Sequence, residues 1–127
     1  MKIVWEIKSY NTSIDDLKKH CADAVKKNID TLCVPQWLVS EAAEFLCGKV
    51  KVAARIGIAA GDASVQSKYA EAKLALHSGA DELYITPGVD MSGDVDVVKT
   101  AAGMAPVYVI RESEQADIVG TIKVEQV

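Results

Sequence analysis

A chain of 127 residues, half of them hydrophobic and a quarter charged, has the length for a single α/β domain, 1–127, built on one core. The net charge of −4, with its 14 basic residues scattered rather than striped, argues against nucleic acid as a partner. No apolar run approaches the ~20 residues of a bilayer span, and the opening MKIVWEIK lacks a signal core and cleavage site. The expectation is therefore a cytoplasmic protein with no membrane contact.

In chain order, Ile3, Trp5 and Ile7 alternate with Val4, Glu6 and Lys8, the period of a strand. Asn11, Thr12 and Ser13 offer caps for a first helix, with Asp15 and Asp16 placed favourably in its first turn. Ile14, Leu17, Cys21, Ala24 and Val25 then recur at helical spacing up to Asn28. Thr31–Val34 reads as a second strand stopped by Pro35, and Val39–Cys47 as a second helix closed by Gly48. Trp37 opens that helix, either as packing or as a contact with a partner chain.

Val50–Ile56 is an apolar run suited to a strand buried on both faces. A turn through Gly57–Ser64, with Ser64 as N-cap, leads to a third helix that ends at Ser78-Gly79. Leu83–Thr86 is the next strand, and a crossover of this length joins parallel strands in the right-handed sense. After the Pro87-Gly88 turn, Val95–Ala102 is a fourth helix ending near Gly103, followed by a fifth strand at Val107–Ile110. The tail from Ser113 starts like a helix and ends in Thr121–Val124, which suits extended chain equally well.

Five βα steps fit part of a (β/α)8 barrel, with helices on one face, or an open flavodoxin-like doubly wound sheet, with helices on both. A complete barrel of this kind needs about 250 residues. The segments TLCVPQWLVSEAAEFL, KVAARIGIAAGDASVQSKYAEAKLALHSGADELYI, SGDVDVV and PVYVIRES resemble, in order, successive stretches of the deoxyribose-phosphate aldolase family. The resemblance runs from about Ser13 to Glu112 and is most specific in EAKLAL…GADEL, Glu71–Leu83. It implies about five parallel strands with four or five helices, arranged as a partial (β/α)8 barrel. The activity implied is class I aldolase, a carbon–carbon lyase reaction through a lysine Schiff base on a sugar phosphate.

The catalytic pattern of that family does not carry over. Its first-strand Asp-His-Thr would fall on Val4, Trp5 and Glu6, and its strand-four aspartate on Tyr84. The Schiff-base lysine belongs to a sixth strand, beyond the matched region, which leaves Cys33 as the retained polar residue of the pocket. A second alignment sets Asp96–Gly103 on the Schiff-base strand and makes Lys99 the nucleophile. The competing reading of Lys99 is a solvated lysine on the fourth helix.

The chemistry of the strand ends is a separate matter. Lys8, Arg55, Thr86 and Arg111 all close strands, so a parallel sheet gathers them at its carboxyl edge, where such folds bind ligands. Two arginines there suit a small phosphorylated or carbonyl compound. They suit ion pairs with Glu6, Asp62 or Glu112 equally. The Gly57–Ser64 turn offers backbone amides to an anion but lacks a dinucleotide or P-loop spacing. Cys33 has no histidine at motif spacing to activate it and reads as a small core residue. His20 and His77 read as surface residues. Cys21, Cys33 and Cys47 form neither a disulfide framework nor a zinc set, and no cofactor is expected. A barrel cut after five strands would expose two unpaired edges, from which a homo-oligomer is expected.

Overall fold

The computed structural model describes residues 2–9, 11–57, 65–86 and 92–127. Its elements are β1 (Val4–Ile7), α1 (Ile14–Lys27), β2 (Thr31–Pro35), α2 (Val39–Leu46), β3 (Lys51–Ile56) and α3 (Val65–His77), followed by β4 (Glu82–Ile85), α4 (Ser92–Ala102), β5 (Val107–Ser113) and β6 (Val119–Gln126). A short 3-10 turn, Gln36–Leu38, joins β2 to α2. The expected turn at Pro87-Gly88, the Ser64 cap and most of Gly57–Ser64 lie outside the described residues.

Local chemistry explains the element ends. Ser13 Oγ accepts from the Asp16 amide at 3.1 Å, so of the three caps the sequence offered Ser13 is the one used. At the other end Asn28 adopts φ 54° and its N–H reaches the carbonyls of Ala24 and Val25, the left-handed stop that asparagine tolerates. Helix α2 ends one residue earlier than its sequence pattern, because Cys47 itself takes the left-handed cap position at φ 50°. Helix α4 begins at Ser92 rather than Val95. Gly79 follows α3 at φ +113°, and a Cβ there would lie 3.2 Å from the Ala43 Cβ, so its missing side chain lets the end of α3 approach α2.

The strands close into a six-stranded barrel in the order β1-β2-β3-β4-β5-β6. Strands β1 to β5 run parallel, each beside its successor. Strand β6 runs antiparallel to both β5 and β1, with Ile110 opposite Val124 and Val4 opposite Ile122. The tail, left open between helix and extended chain, is extended where it pairs. One expectation is corrected: the open edges foreseen after strand five do not exist, because β6 satisfies both. Closure also decides between the two architectures, since a closed barrel has a lumen and an outside and an open doubly wound sheet has neither.

That division makes two cores. Leu32, Val34, Val52, Ala54, Ile56, Leu83 and Ile85 point outward and pack against Leu17, Ala24, Ala42, Leu46, Ala72, Ala75, Val98 and Ala101 of the helices. The alternate residues Val4, Cys33, Ala53, Tyr84, Ile110 and Ile122 fill the lumen, with Tyr108 and Val124 packed on them. A barrel of six strands is narrower than one of eight, and ordinary side chains fill it. Fully burying one aliphatic side chain contributes about 1.5–3 kcal/mol, so the lumen is a substantial share of the stability.

Ile122 is 2% exposed and contributes to the lumen from β6, whereas the neighbouring Thr121 is exposed. Ile122→Ala is expected to lower the unfolding free energy by about 2–5 kcal/mol. Thr121→Ala is expected to stay within about 1 kcal/mol. Urea denaturation followed by circular dichroism measures both, and equal small effects would mean that β6 is not a barrel wall.

Candidate functional site

The parallel strands put a set of polar groups at each end of the lumen. At the amino end Glu82, 2% exposed, accepts from Lys2 Nζ at 2.6 Å and from the Tyr84 hydroxyl at 2.8 Å. The Lys2 ammonium also lies 4.2 Å from the centroid of the Tyr108 ring, which meets Tyr84 edge to face at 5.4 Å. Burial and the Glu82 charge hold the Tyr84 phenol well above its ordinary range, so this hydroxyl stays a neutral donor. Every charged group in this cluster has a partner, and the cluster acts as a plug.

The carboxyl end is different. Glu6 projects inward from β1 and is 2% exposed. Its Oε2 accepts from Arg55 Nη1 at 2.6 Å, and Arg55 Nε donates to Thr86 Oγ1 at 2.9 Å. Glu6 Oε1 is buried and receives no hydrogen bond from any described residue. These three side chains, with Ile110, Arg111, Glu112 and Ser113, line a cavity of about 180 Å³ at the barrel mouth. Arg111 Nε donates to Glu125 at 2.8 Å on the exposed rim, and Glu112 pairs with Lys123 at 3.1 Å.

Of the residues singled out in the sequence, Arg55, Thr86 and Arg111 therefore meet around one cavity. Lys8 does not join them. Its ammonium donates to Ser113 Oγ at 2.6 Å and to the Glu114 carbonyl, bracing the β5–β6 turn. Cys33 lies within the lumen, fully buried. Its thiol is pushed well above the usual range, by burial first and then by the Glu6 charge, against a smaller opposing effect of Arg55. It packs in the lumen with Val4, Ala53 and Tyr84. Lys99 sits exposed in the last turn of α4, beside Gly103, Met104, Pro106, Gln126 and Val127. That places it at the amino end of the barrel, outside the lumen and remote from the mouth. Among the described residues no group of three or more His, Cys, Asp or Glu is placed to hold a metal ion.

Glu6 is the residue that sequence reading passed over as a binding group. It stood only as a mismatch to the Asp-His-Thr pattern and as one of three pairing options for the arginines. The available signal was its alternation with Trp5 and Ile7, which sets it on the lumen side once those two face the helices.

No family model matches the chain. Curated relatives do. It is 35% identical over 88 residues to the deoxyribose-phosphate aldolase of Clostridioides difficile, a match spanning 69% of this chain and 37% of that enzyme. Against the deoxyribose-phosphate aldolase of Thermococcus gammatolerans it is 39% identical over 98 residues, 73% of this chain and 43% of the enzyme. A crystal structure from Coccidioides immitis assigned as a deoxyribose-phosphate aldolase superposes with TM-score 0.74 at 29% identity, covering 85% of this chain and 46% of that one. A protein described as "QR15, an Aldolase" gives the same TM-score at 21% identity, a likeness of fold alone. The chain thus spans about half or less of the length of the curated relatives it matches.

The Glu6–Arg55 pair is the electrostatic joint of this end. Arg55→Met would leave Glu6 buried and unpaired, and should cost about 3–5 kcal/mol in urea unfolding. The exposed Arg111→Ala should cost less than about 1 kcal/mol. The thiols give a pH test. Burial pushes the Cys21 thiol up to about 11 from an ordinary 9.0, so the folded state holds that proton more tightly than the unfolded chain. Stability conferred this way is present below pH 9 and is lost as pH climbs through 11. In the native protein at pH 8, Ellman's reagent should titrate the exposed Cys47 and leave Cys21 and Cys33 unreacted until denaturant is added.

Proposed function

The chain is a divergent relative of the deoxyribose-phosphate aldolases, and we propose that it has given up Schiff-base chemistry and serves as a small-molecule-binding or structural module. The lumen carries this reading. A class I aldolase needs an amine held in an apolar pocket, where desolvation strips its proton and lets it attack a carbonyl. Here Val4, Cys33, Ala53, Tyr84, Ile110 and Ile122 occupy the middle of the barrel. Tyr84, which falls where the family has its acid/base aspartate, is fully buried and bonded to Glu82.

The path of the sheet supports the same conclusion. Between β5 and β1 stands one antiparallel strand that bonds to both. The ring has no interval for a parallel strand of the kind that bears the amine in the family. Two lysines at the ends of the lumen, Lys2 and Lys8, are both engaged by neighbouring groups.

The second reading is an active class I aldolase acting on deoxyribose 5-phosphate or a similar sugar phosphate, through Lys99 or a lysine lent by a second subunit. The names of the curated relatives favour it. The exposed position of Lys99 on α4 weighs against the first of those amines. A phosphate ligand at the mouth would compete with carboxylates already on both arginines. A homo-oligomer remains part of the proposal, and its footing is no longer an unpaired edge. Exposed Ile118 adjoins Trp5 and Val119 in a groove of about 580 Å³ between β6 and α1, an apolar surface that a second copy could cover.

Borohydride reduction in the presence of acetaldehyde or deoxyribose 5-phosphate, followed by peptide mass analysis, separates the two readings. No lysine is expected to gain the mass of a reduced adduct. A stoichiometric adduct on a single lysine would establish the enzyme.

A further inference from the structure

We infer that the groove between α1 and β6 is the contact face of a two-fold homodimer, in which the partner is a second copy of this chain turned end over end. This deepens the homo-oligomer reading given above and rests on it. Each of the four helices lies in a crossover between consecutive parallel strands, on the outside of the barrel. Strand β6 arrives by a hairpin and brings no helix among the described residues. Thr121, Lys123 and Glu125 along its outer side are exposed, so the helical layer is interrupted beside α1.

The floor of this gap is apolar and carries an aromatic anchor. Trp5 of β1, half-buried, stands opposite Thr121 of β6, and Ile7 stands opposite Val119. Ile118, 50% exposed, adjoins Trp5 and Val119 where the hairpin turn meets the groove. An apolar centre with a tryptophan, ringed by charged groups, is the anatomy of a protein–protein contact.

The charges of the rim say which partner fits. Lys27 closes α1 and so stands toward the amino end of the barrel, whereas Glu114 follows the last residue of β5 and stands toward the carboxyl end. Lys27 makes no ion pair among the described residues. Glu114 is exposed, and its Oε2 accepts from the Thr121 amide at 2.8 Å, which leaves its other oxygen for a cation. A two-fold axis perpendicular to the barrel axis reverses one groove against the other. It sets Lys27 of each copy on the partner's Glu114, with Trp5 and Ile118 of both copies between the two pairs. Two copies aligned in the same direction would set Lys27 on Lys27 and Glu114 on Glu114, and like charges disfavour that arrangement. A self-complementary contact of this kind is satisfied by one pairing, which gives dimers and no filament. The apolar centre supplies the affinity, and the two rim pairs, exposed to water, set the orientation.

The test is sedimentation equilibrium of the full chain over a dilution series, with circular dichroism to show that each variant folds. The unsubstituted chain is expected to dimerise reversibly. Ile118→Asp, at a half-exposed position just before β6, should leave a folded monomer. Lys27→Glu and Glu114→Lys should each weaken the dimer roughly tenfold, because both of its rim pairs become repulsive. The double variant restores opposite charges across the contact and should return to within about threefold of the unsubstituted chain. If Glu114→Lys does not fold, Ile118→Asp and Lys27→Glu decide the matter. A dimer indifferent to Ile118→Asp or to Lys27→Glu, or a folded double variant no tighter than the single ones, would overturn the inference and leave the homo-oligomer standing on another face. A chain monomeric throughout the series would overturn both. The borohydride experiment is unaffected by either result.

Discussion

Hydrogen-bond satisfaction at the two outer strands governs this molecule. A parallel sheet of five strands curled around its own side chains leaves two rows of unpaired amides and carbonyls, one on β1 and one on β5. In water those rows invite association, and an eight-stranded relative covers them by adding parallel βα units. Here a hairpin does it. β5 turns back as β6, which bonds to β5 on one side and to β1 on the other. A bulge between Ile110 and Glu112 adjusts the register along the way. Everything about the interior follows from the resulting small circumference. The lumen is narrow enough to be filled by six aliphatic, thiol and aromatic side chains, and polar groups are confined to its two ends.

Those ends have different characters although both contain buried carboxylates. Glu82 is held by a lysine and a phenol and has nothing left to offer. Glu6 is held on one oxygen only. The difference tracks the strand direction: in parallel βα folds the carboxyl end collects the long loops and carries chemistry, while the amino end serves stability. The mouth presents the polar side chains of Arg55, Thr86 and Arg111, set on the ends of the strands.

Much of the architecture was legible because buried parallel strands and amphipathic helices write distinct periods. The Ser13 cap, the Asn28 stop and the four helices all follow from local residue chemistry. Three things were not legible. The first was the role of residues 113–126, whose alternation suits a strand but whose partners, Val4 and Ile110 among them, are chosen by closure of the whole ring. The second was the side on which β1 presents Glu6, since a barrel strand has two apolar environments and alternation alone does not say which is the lumen. The third was the pairing of the arginines. Arg55 with Glu6 was among the foreseen pairs, but Arg111 chose Glu125, a partner supplied by the strand whose fate was undecided.

The closing strand also sets a timetable. β1 is complete at Ile7, yet its second neighbour begins at Val119. A ribosome elongating at about 5–20 residues per second needs roughly 6–22 s to cover that interval. Throughout it the nascent sheet carries a bare edge on β1 and a lumen with one wall missing, a state open to association. The cell thus meets this protein first as an incomplete ring, and the hairpin that completes it also ends its exposure to misassembly.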